Sequence, residues 1–228
     1  MTFLELCKMV HNRAQVQGVF TSVTEVGING EIAGLVRDSW EDIQKLRPRL
    51  LFMIKELSYT LSPTIDLYPL ADLFAVPGSD DFARWEEDPG SLRLTNPVTG
   101  DQVTPRYRDF FDLRNRTLNS SDYNPDTPQF WTYHPQTFTI QLFPAPHLAF
   151  TVKQDYYRSP QILAVNNDTP HIRSNYHSLI AYKAISEFAA AKSFVGIHQR
   201  YELRYAQQVG ELMREFNPEA IYKLNPVA

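Results

Sequence analysis

Cys7 is the only thiol in the 228-residue chain. It sits between Leu6 and Val10 at helical spacing, a place where cysteine packs as a small apolar side chain, and no neighbour in sequence draws it toward a reactive thiolate. Asp168, His171 and His177 are of the types that ligate zinc. Their spacing argues against it: a six-residue step does not bring two histidines to one helix face, and His171 follows Pro170 in a loop. His134 and His147 stand beside Pro135 and Pro146 in turns. The acidic run Asp80, Asp81, Glu86, Glu87 and Asp88 offers oxygens to calcium but lacks the alternating ligand positions and glycine of an EF-hand, and it reads as a solvated loop. G-x-S-x-G, a glycine-rich phosphate loop, H-E-x-x-H and paired C-x-x-C elements are all missing. The expectation is a protein that is not an enzyme and needs no cofactor and no metal.

The elements that would have to position such residues are those of a globular chain. Hydrophobic residues make up 43% and charged residues 21%, enough to bury a core without disulfides or a structural metal. A lone cysteine excludes an internal bridge and points to synthesis in a reducing cytoplasm. Twenty-two basic against 26 acidic residues leave a net charge of −4, which disfavours tight sequence-independent DNA binding. No apolar run approaches the roughly 18 residues of a membrane helix, and Glu5 and Lys8 interrupt any signal-peptide core; no membrane partner is expected.

Thr2 and Glu5 form a capping-box pattern ahead of Phe3, Leu6, Met9 and Val10, so a first helix is predicted to run to about Gly18. A second helix, capped by Asn29, has the apolar face Ile32, Leu35, Val36, Trp40, Ile43 and Leu46 and ends at Pro48. Period 2 then takes over, with Leu57, Tyr59 and Leu61 alternating with Glu56, Ser58 and Thr60. Further strands are predicted around Ile65–Tyr68, Ser91–Thr95, Phe130–Tyr133, Thr137–Leu142 and Leu148–Tyr157, between proline clusters that preclude long helices. Helical period returns from Ser174, a candidate cap, to about Gly196. A last helix starts near His198, carries Tyr201, Leu203, Tyr205, Val209, Leu212, Met213 and Phe216, and stops at Asn217-Pro218.

The fold class is therefore α+β: N- and C-terminal helices packed as a bundle, with a central, sandwich-like antiparallel β module inserted between them. The boundaries fall at residues 1–54 and 170–216 for the helical domain, 55–169 for the β module with its long loops, and 217–228 for an extended C-terminal tail. Arg200, Arg204, Glu211 and Arg214, with Glu202, give the last helix a mixed-charge face of the kind that lies in solvent or builds subunit interfaces. Twelve Tyr, 14 Phe and three Trp supply wide amphipathic area. Phe138, Ile140, Phe150 and Val152 are core by alternation, whereas spacing does not assign Trp85, Trp131, Tyr156 and Tyr157 to core or contact.

MTFLELCKMV at the start, GEIAGLVRDSWEDIQ on the second helix, DFARWEED followed by SLRL, YRDF at 107–110, FTIQLFPAP, FTVKQDYYRSPQIL with NNDTP, and NYHSLIAYKAI on the penultimate helix come in an order and spacing that resemble tailed-bacteriophage head-tail adaptor (connector) proteins. The resemblance implies a structural virion protein at the head-tail junction, assembled in the host cytoplasm. Its helical domain would form a ring with copies of itself, a dodecamer, beneath the portal protein. That ring would extend the DNA channel, double-stranded DNA passing without specific binding, and offer a platform to a tail nozzle, tube or stopper protein. On that reading Trp40, Arg200, Arg204, Glu211 and Arg214 belong to the subunit interface, and Phe216, Ile221, Tyr222 and Leu224 dock the C-terminal end on the portal. The alternative is a β-sandwich carbohydrate- or ligand-binding module that presents Trp85 and Trp131.

Overall fold

The structure is a computed structural model that describes residues 1–46, 50–74, 81–113 and 124–216. The chain divides into two compact units, one of Met1–Met53 with the chain from Pro160 on, the other Ile54–Ser159.

In the helical unit, α1 (Phe3–Arg13) opens with the capping box that its sequence predicts: Glu5 N donates to Thr2 Oγ1 at 3.3 Å and Thr2 N donates to Glu5 Oε2 at 2.8 Å. The helix stops at Arg13, short of Gly18. Its inner face buries Phe3, Leu6, Cys7, Val10 and His11. α2 (Ile28–Gln44) starts from Gly27, whose φ of 71° is open to glycine at little cost, and not from Asn29. Asn29 lies inside the helix and donates its amide to Val19 O and to Glu25. Glu25 gathers the connector: it also accepts from Thr21 N at 2.7 Å, Ser22 N at 2.6 Å and the Thr21 hydroxyl.

After a 3-10 turn, Ser174–Tyr176, in which Arg173 and not Ser174 holds the cap position, comes α4 (His177–Ala191), which follows in chain order the short α3 (Leu70–Leu73) of the other unit. It is the central helix. Nine of its residues are buried, three of them alanines, and α1, α2 and the last helix, α5 (Val195–Phe216), all pack against it. The α4–α5 break comes before Gly196. Ser193 takes the left-handed turn (φ 59°) and Phe194 N closes it on Ala189 O at 2.8 Å, so Gly196 falls in the first turn of α5. Residues 160–169 also belong to this unit rather than to the β module. Phe3 N donates to Asp168 O at 2.7 Å, Leu4 N to Asn166 O at 3.1 Å and Arg37 Nε to Leu163 O at 2.8 Å. These bonds run between segments more than 120 positions apart, which no local pattern reveals.

The second unit holds two sheets. In the first, β1 (Ile54–Thr60), β9 (Thr151–Arg158), β4 (Leu92–Thr95) and β5 (Gln102–Val103) lie in that order, with β3 (Phe82–Trp85) also on β9. In the second the order is β2 (Leu67–Tyr68), β8 (Ile140–Phe143), β7 (Phe130–Tyr133) and β6 (Arg106–Tyr107). The short helix α3 is Leu70–Leu73. Among the described strands every pair is antiparallel but one: β6 runs parallel to β7, Arg106 opposite Phe130 and Tyr107 opposite Trp131. The long stretch between those two strands is what a parallel crossover requires. Both sheets feed one core of Leu61, Tyr68, Leu73, Trp85, Leu92, Leu94, Trp131, Ile140, Leu142, Phe150, Val152 and Tyr156. Each fully buried aliphatic or Phe side chain of this kind contributes about 1.5–3 kcal/mol.

Candidate assembly surface

α5 is 22 residues long, roughly 33 Å at 1.5 Å per residue, yet it buries only Tyr201, Leu212 and Phe216. A row of contacts with the helical unit holds that narrow inner stripe. Tyr201 meets Tyr182 at 5.6 Å between ring centroids. The Ser186 hydroxyl donates to Glu202 Oε2 at 2.8 Å and lies 2.9 Å from His198 Nδ1. Gln208 Nε2 donates to Ser178 Oγ at 3.1 Å. The Tyr176 hydroxyl donates to Glu215 Oε2 at 2.6 Å, and this bond to a carboxylate, with burial second, pushes the phenol up to about 12. Arg173 forms an ion pair with the same Glu215. Ile197, His198, Tyr205, Gln208, Val209, Met213 and Glu215 are half-buried along its edges, and the outer face is exposed, including Leu203 at 62%, which the apolar pattern counts with the inner face. Leu203 stands on the side of the helix away from Tyr201 and Leu212, a distinction that a helical wheel of the sequence already makes.

Arg200, Arg204, Glu211 and Arg214 are all exposed on α5. The Arg204 guanidinium lies over Tyr201 and Tyr182, 5.4 and 5.8 Å from the ring centroids, and Arg214 Nε donates to Gly210 O at 3.2 Å. Trp40 does not join them. Its side chain is fully buried on the inner face of α2, 6.1 Å from the Phe52 ring, with Nε1 donating to Gln161 Oε1 at 3.2 Å. Phe216 is likewise core: it is buried between Phe52 and Tyr176, at 5.7 and 5.8 Å, so it closes the helical unit and is not offered for docking. Ile221, Tyr222 and Leu224 lie outside the described residues.

The residues of chemical type are occupied structurally. Cys7 is buried, and burial, against the opposing charge of Arg37, pushes its thiol up to about 12. Asp168 Oδ2 accepts from Ala164 N and Val165 N at 2.6 and 2.8 Å. His177 is buried, with Nε2 2.9 Å from Ile172 O, and burial lowers its pKa. His171 is held through its backbone N, which donates to Gln161 Oε1 at 3.0 Å. The acidic run is less solvated than its composition predicts. Glu86 is buried and accepts from Glu87 N and Asp88 N; Glu87 accepts from the Tyr133 hydroxyl at 2.5 Å. Burial pulls the Asp81 carboxyl up, but bonds from Lys55 and Tyr156 outweigh it and hold the group below its usual range. Asp80 lies outside the described residues. Among the described residues no three His, Cys, Asp or Glu side chains group as metal ligands, and no helix is long and apolar enough to cross a membrane.

In the β unit a cleft of about 390 Å³ opens between Glu87–Gly90 and Thr104–Arg108. The aromatics left open by spacing are all core: Trp85 and Trp131 are 1% exposed, Tyr156 and Tyr157 are buried. Neither tryptophan is presented to a sugar, which overturns the carbohydrate-binding alternative as framed on those two rings.

Aromatics spent on two internal cores, with a long helix exposed along one face, are the make-up of a structural protein that acts through contact. The chain matches the SU10 adaptor protein family over residues 1–222 and belongs to that family of phage head-tail adaptors. It is a structural adaptor of a bacteriophage, which places it at the head-tail junction of the virion. No curated protein matches the chain.

Proposed function

We propose that copies of this chain form a closed ring, a dodecamer, under the portal protein, with the helical unit as the ring-forming part. The observation that carries this reading is the bare face of α5, an amphipathic helix with one side embedded and the other unmet. In a phage adaptor such a face has identical neighbours at hand, and a head-to-tail contact repeated around an axis closes without a second kind of subunit. The ring extends the DNA channel. A net charge of −4 per chain suits a conduit through which duplex DNA slides, since a cationic lining would grip phosphates through counterion release. The other face receives a tail nozzle, tube or stopper protein, and the chain transforms no substrate.

Negative-stain imaging and mass measurement of the purified chain, with and without portal rings of the same phage, test the reading. A twelve-fold ring on the portal is expected; single copies scattered on it would overturn the proposal. Residues 217–228, with Ile221, Tyr222 and Leu224, form the portal-docking segment in this scheme. Deleting them should abolish co-sedimentation with portal rings, and undiminished binding would refute that role.

A further inference from the structure

α2 and α5 each carry a mid-helix glycine that the chain's own packing does not require. Among the described residues, a Cβ built on Gly34 or Gly210 meets no atom within 4 Å beyond its own stretch of helix, although glycine weakens a helix interior relative to alanine. Gly30, one turn before Gly34, is the contrast: a Cβ there would stand 2.7 Å from Glu25 O, so the fold itself demands that glycine. Gly34, half-buried at the foot of the acidic face of α2, and Gly210, exposed on α5, are accounted for if another backbone approaches there.

The faces around them carry opposite charge. On α2, Glu31, Asp38, Glu41 and Asp42 are exposed, while the helix's one arginine, Arg37, turns inward to Leu163 O and the Phe3 ring. Glu31, Glu41 and Asp42 meet Lys192, Lys45 and Lys183 in partly exposed ion pairs that hold little energy and exchange readily. Asp38 has no ion-pair partner among the described residues. On α5 the arrangement is reversed. Glu202 and Glu215 are taken up by Ser186 and by Arg173 with Tyr176, whereas Arg200, Arg204 and Arg214 are exposed and form no ion pair among the described residues, and the exposed Glu211 is the single acid set against these three arginines. Leu203, bare, lies beside them.

We propose that α2 of one copy crosses α5 of the next, with Gly34 and Gly210 at the closest approach and the acidic face of α2 against the arginines of α5. An antiparallel crossing at the two glycines brings Glu31 to Arg214 and Glu41 to Arg204, two opposite-charge pairs; a parallel one would bring Arg214 to Asp38 but set Arg204 against Ile28, one pair only. Glycine at the crossing lets the axes come closer than the usual helix pair. The two faces are unlike, so the contact is heterologous and repeats around a ring. This contact rests on the reading that copies of the chain form one.

The test mixes the full chain with portal rings of the same phage and follows assembly by sedimentation and negative stain. Arg204→Glu/Arg214→Glu should lose the ring, Glu31→Arg/Glu41→Arg should lose it too, and a chain carrying all four changes should regain it. Gly34→Leu and Gly210→Leu should leave the melting temperature of the free chain equal or higher and still lose the ring, a combination that a folding defect does not produce. Rings formed by every variant as by the wild type would overturn the α2–α5 contact while the ring itself stood. The contact is equally overturned if the arginine variant assembles normally and changes only DNA retention, since α5 would then face the channel. A wild-type chain that stays single on the portal removes the ring, and this contact with it.

Discussion

The Gln44 side chain pairs with the backbone of Gln161 as a neighbouring strand would: Gln161 N donates to Gln44 Oε1 at 2.7 Å and Gln44 Nε2 donates to Gln161 O at 3.0 Å. Gln161 in turn spends its own amide on Trp40, His171 N and Thr169 O. One residue on α2 thus satisfies both backbone groups where the chain re-enters the helical unit. Gln44→Ala leaves that N–H and C=O unpaired in a site where Gln44 is 5% exposed, and each such group costs about 1–3 kcal/mol. A loss of about 2–4 kcal/mol in urea unfolding is expected; a loss below about 0.5 kcal/mol, the scale of an ordinary surface change, would show that water replaces the amide.

Trp85 ties the β unit together. Its Nε1 donates to Phe138 O at 2.9 Å and its ring stands 4.7 Å from Phe82 and 5.8 Å from Phe74. Trp85→Ala should lower stability by about 3–5 kcal/mol, the range for large aromatic deletions from a core. Near-ultraviolet circular dichroism and thermal melting read the effect together. An unchanged melt would mean that the ring is not packed as described.

Glu25 accepts from Thr21 and Asn29 side chains and from Thr21 and Ser22 backbone N–H groups, and these bonds hold its carboxyl down to about 2. A depressed carboxylate pKa stabilises the fold above the unfolded value of about 4.5 and loses that contribution as pH falls toward the folded value. The difference in stability between wild type and Glu25→Gln should therefore be constant near neutrality and shrink below about pH 4.5. Carboxyl NMR titration gives the group directly, and an ordinary glutamate midpoint would contradict the connector geometry.

Cys7 should be silent to a thiol reagent at pH 8 in the folded chain and react fully in denaturant, because both burial and a thiol pushed up to about 12 suppress the thiolate. Its reaction rate then reports opening of the α1–α4 packing. Fast labelling of the native chain would show that α1 detaches from the bundle.

Local patterns carried much of the architecture. The Thr2–Glu5 box, the apolar face of α2, the alternation of β1, the strand Phe130–Tyr133 and the charged face of α5 are set by residues within a few positions of one another, where propensity, capping and period decide. The arginines and Glu211 on α5 were legible for the same reason. What those patterns left open depended on partners far along the chain. The two-residue strands β5 and β6 have no period to read, and β6 became parallel to β7 through a long crossover. Trp40 and Phe216 look from sequence like contact residues, yet the core closes over both. Residues 160–169 look like loop, yet hydrogen bonds to α1 and α2 claim them. The sequence by itself determined which elements form and which helix face is charged, since those follow from neighbours three or four residues away. Only the tertiary structure decided which aromatics are consumed inside and which surfaces stay unmet, because burial is a property of what packs across the whole chain.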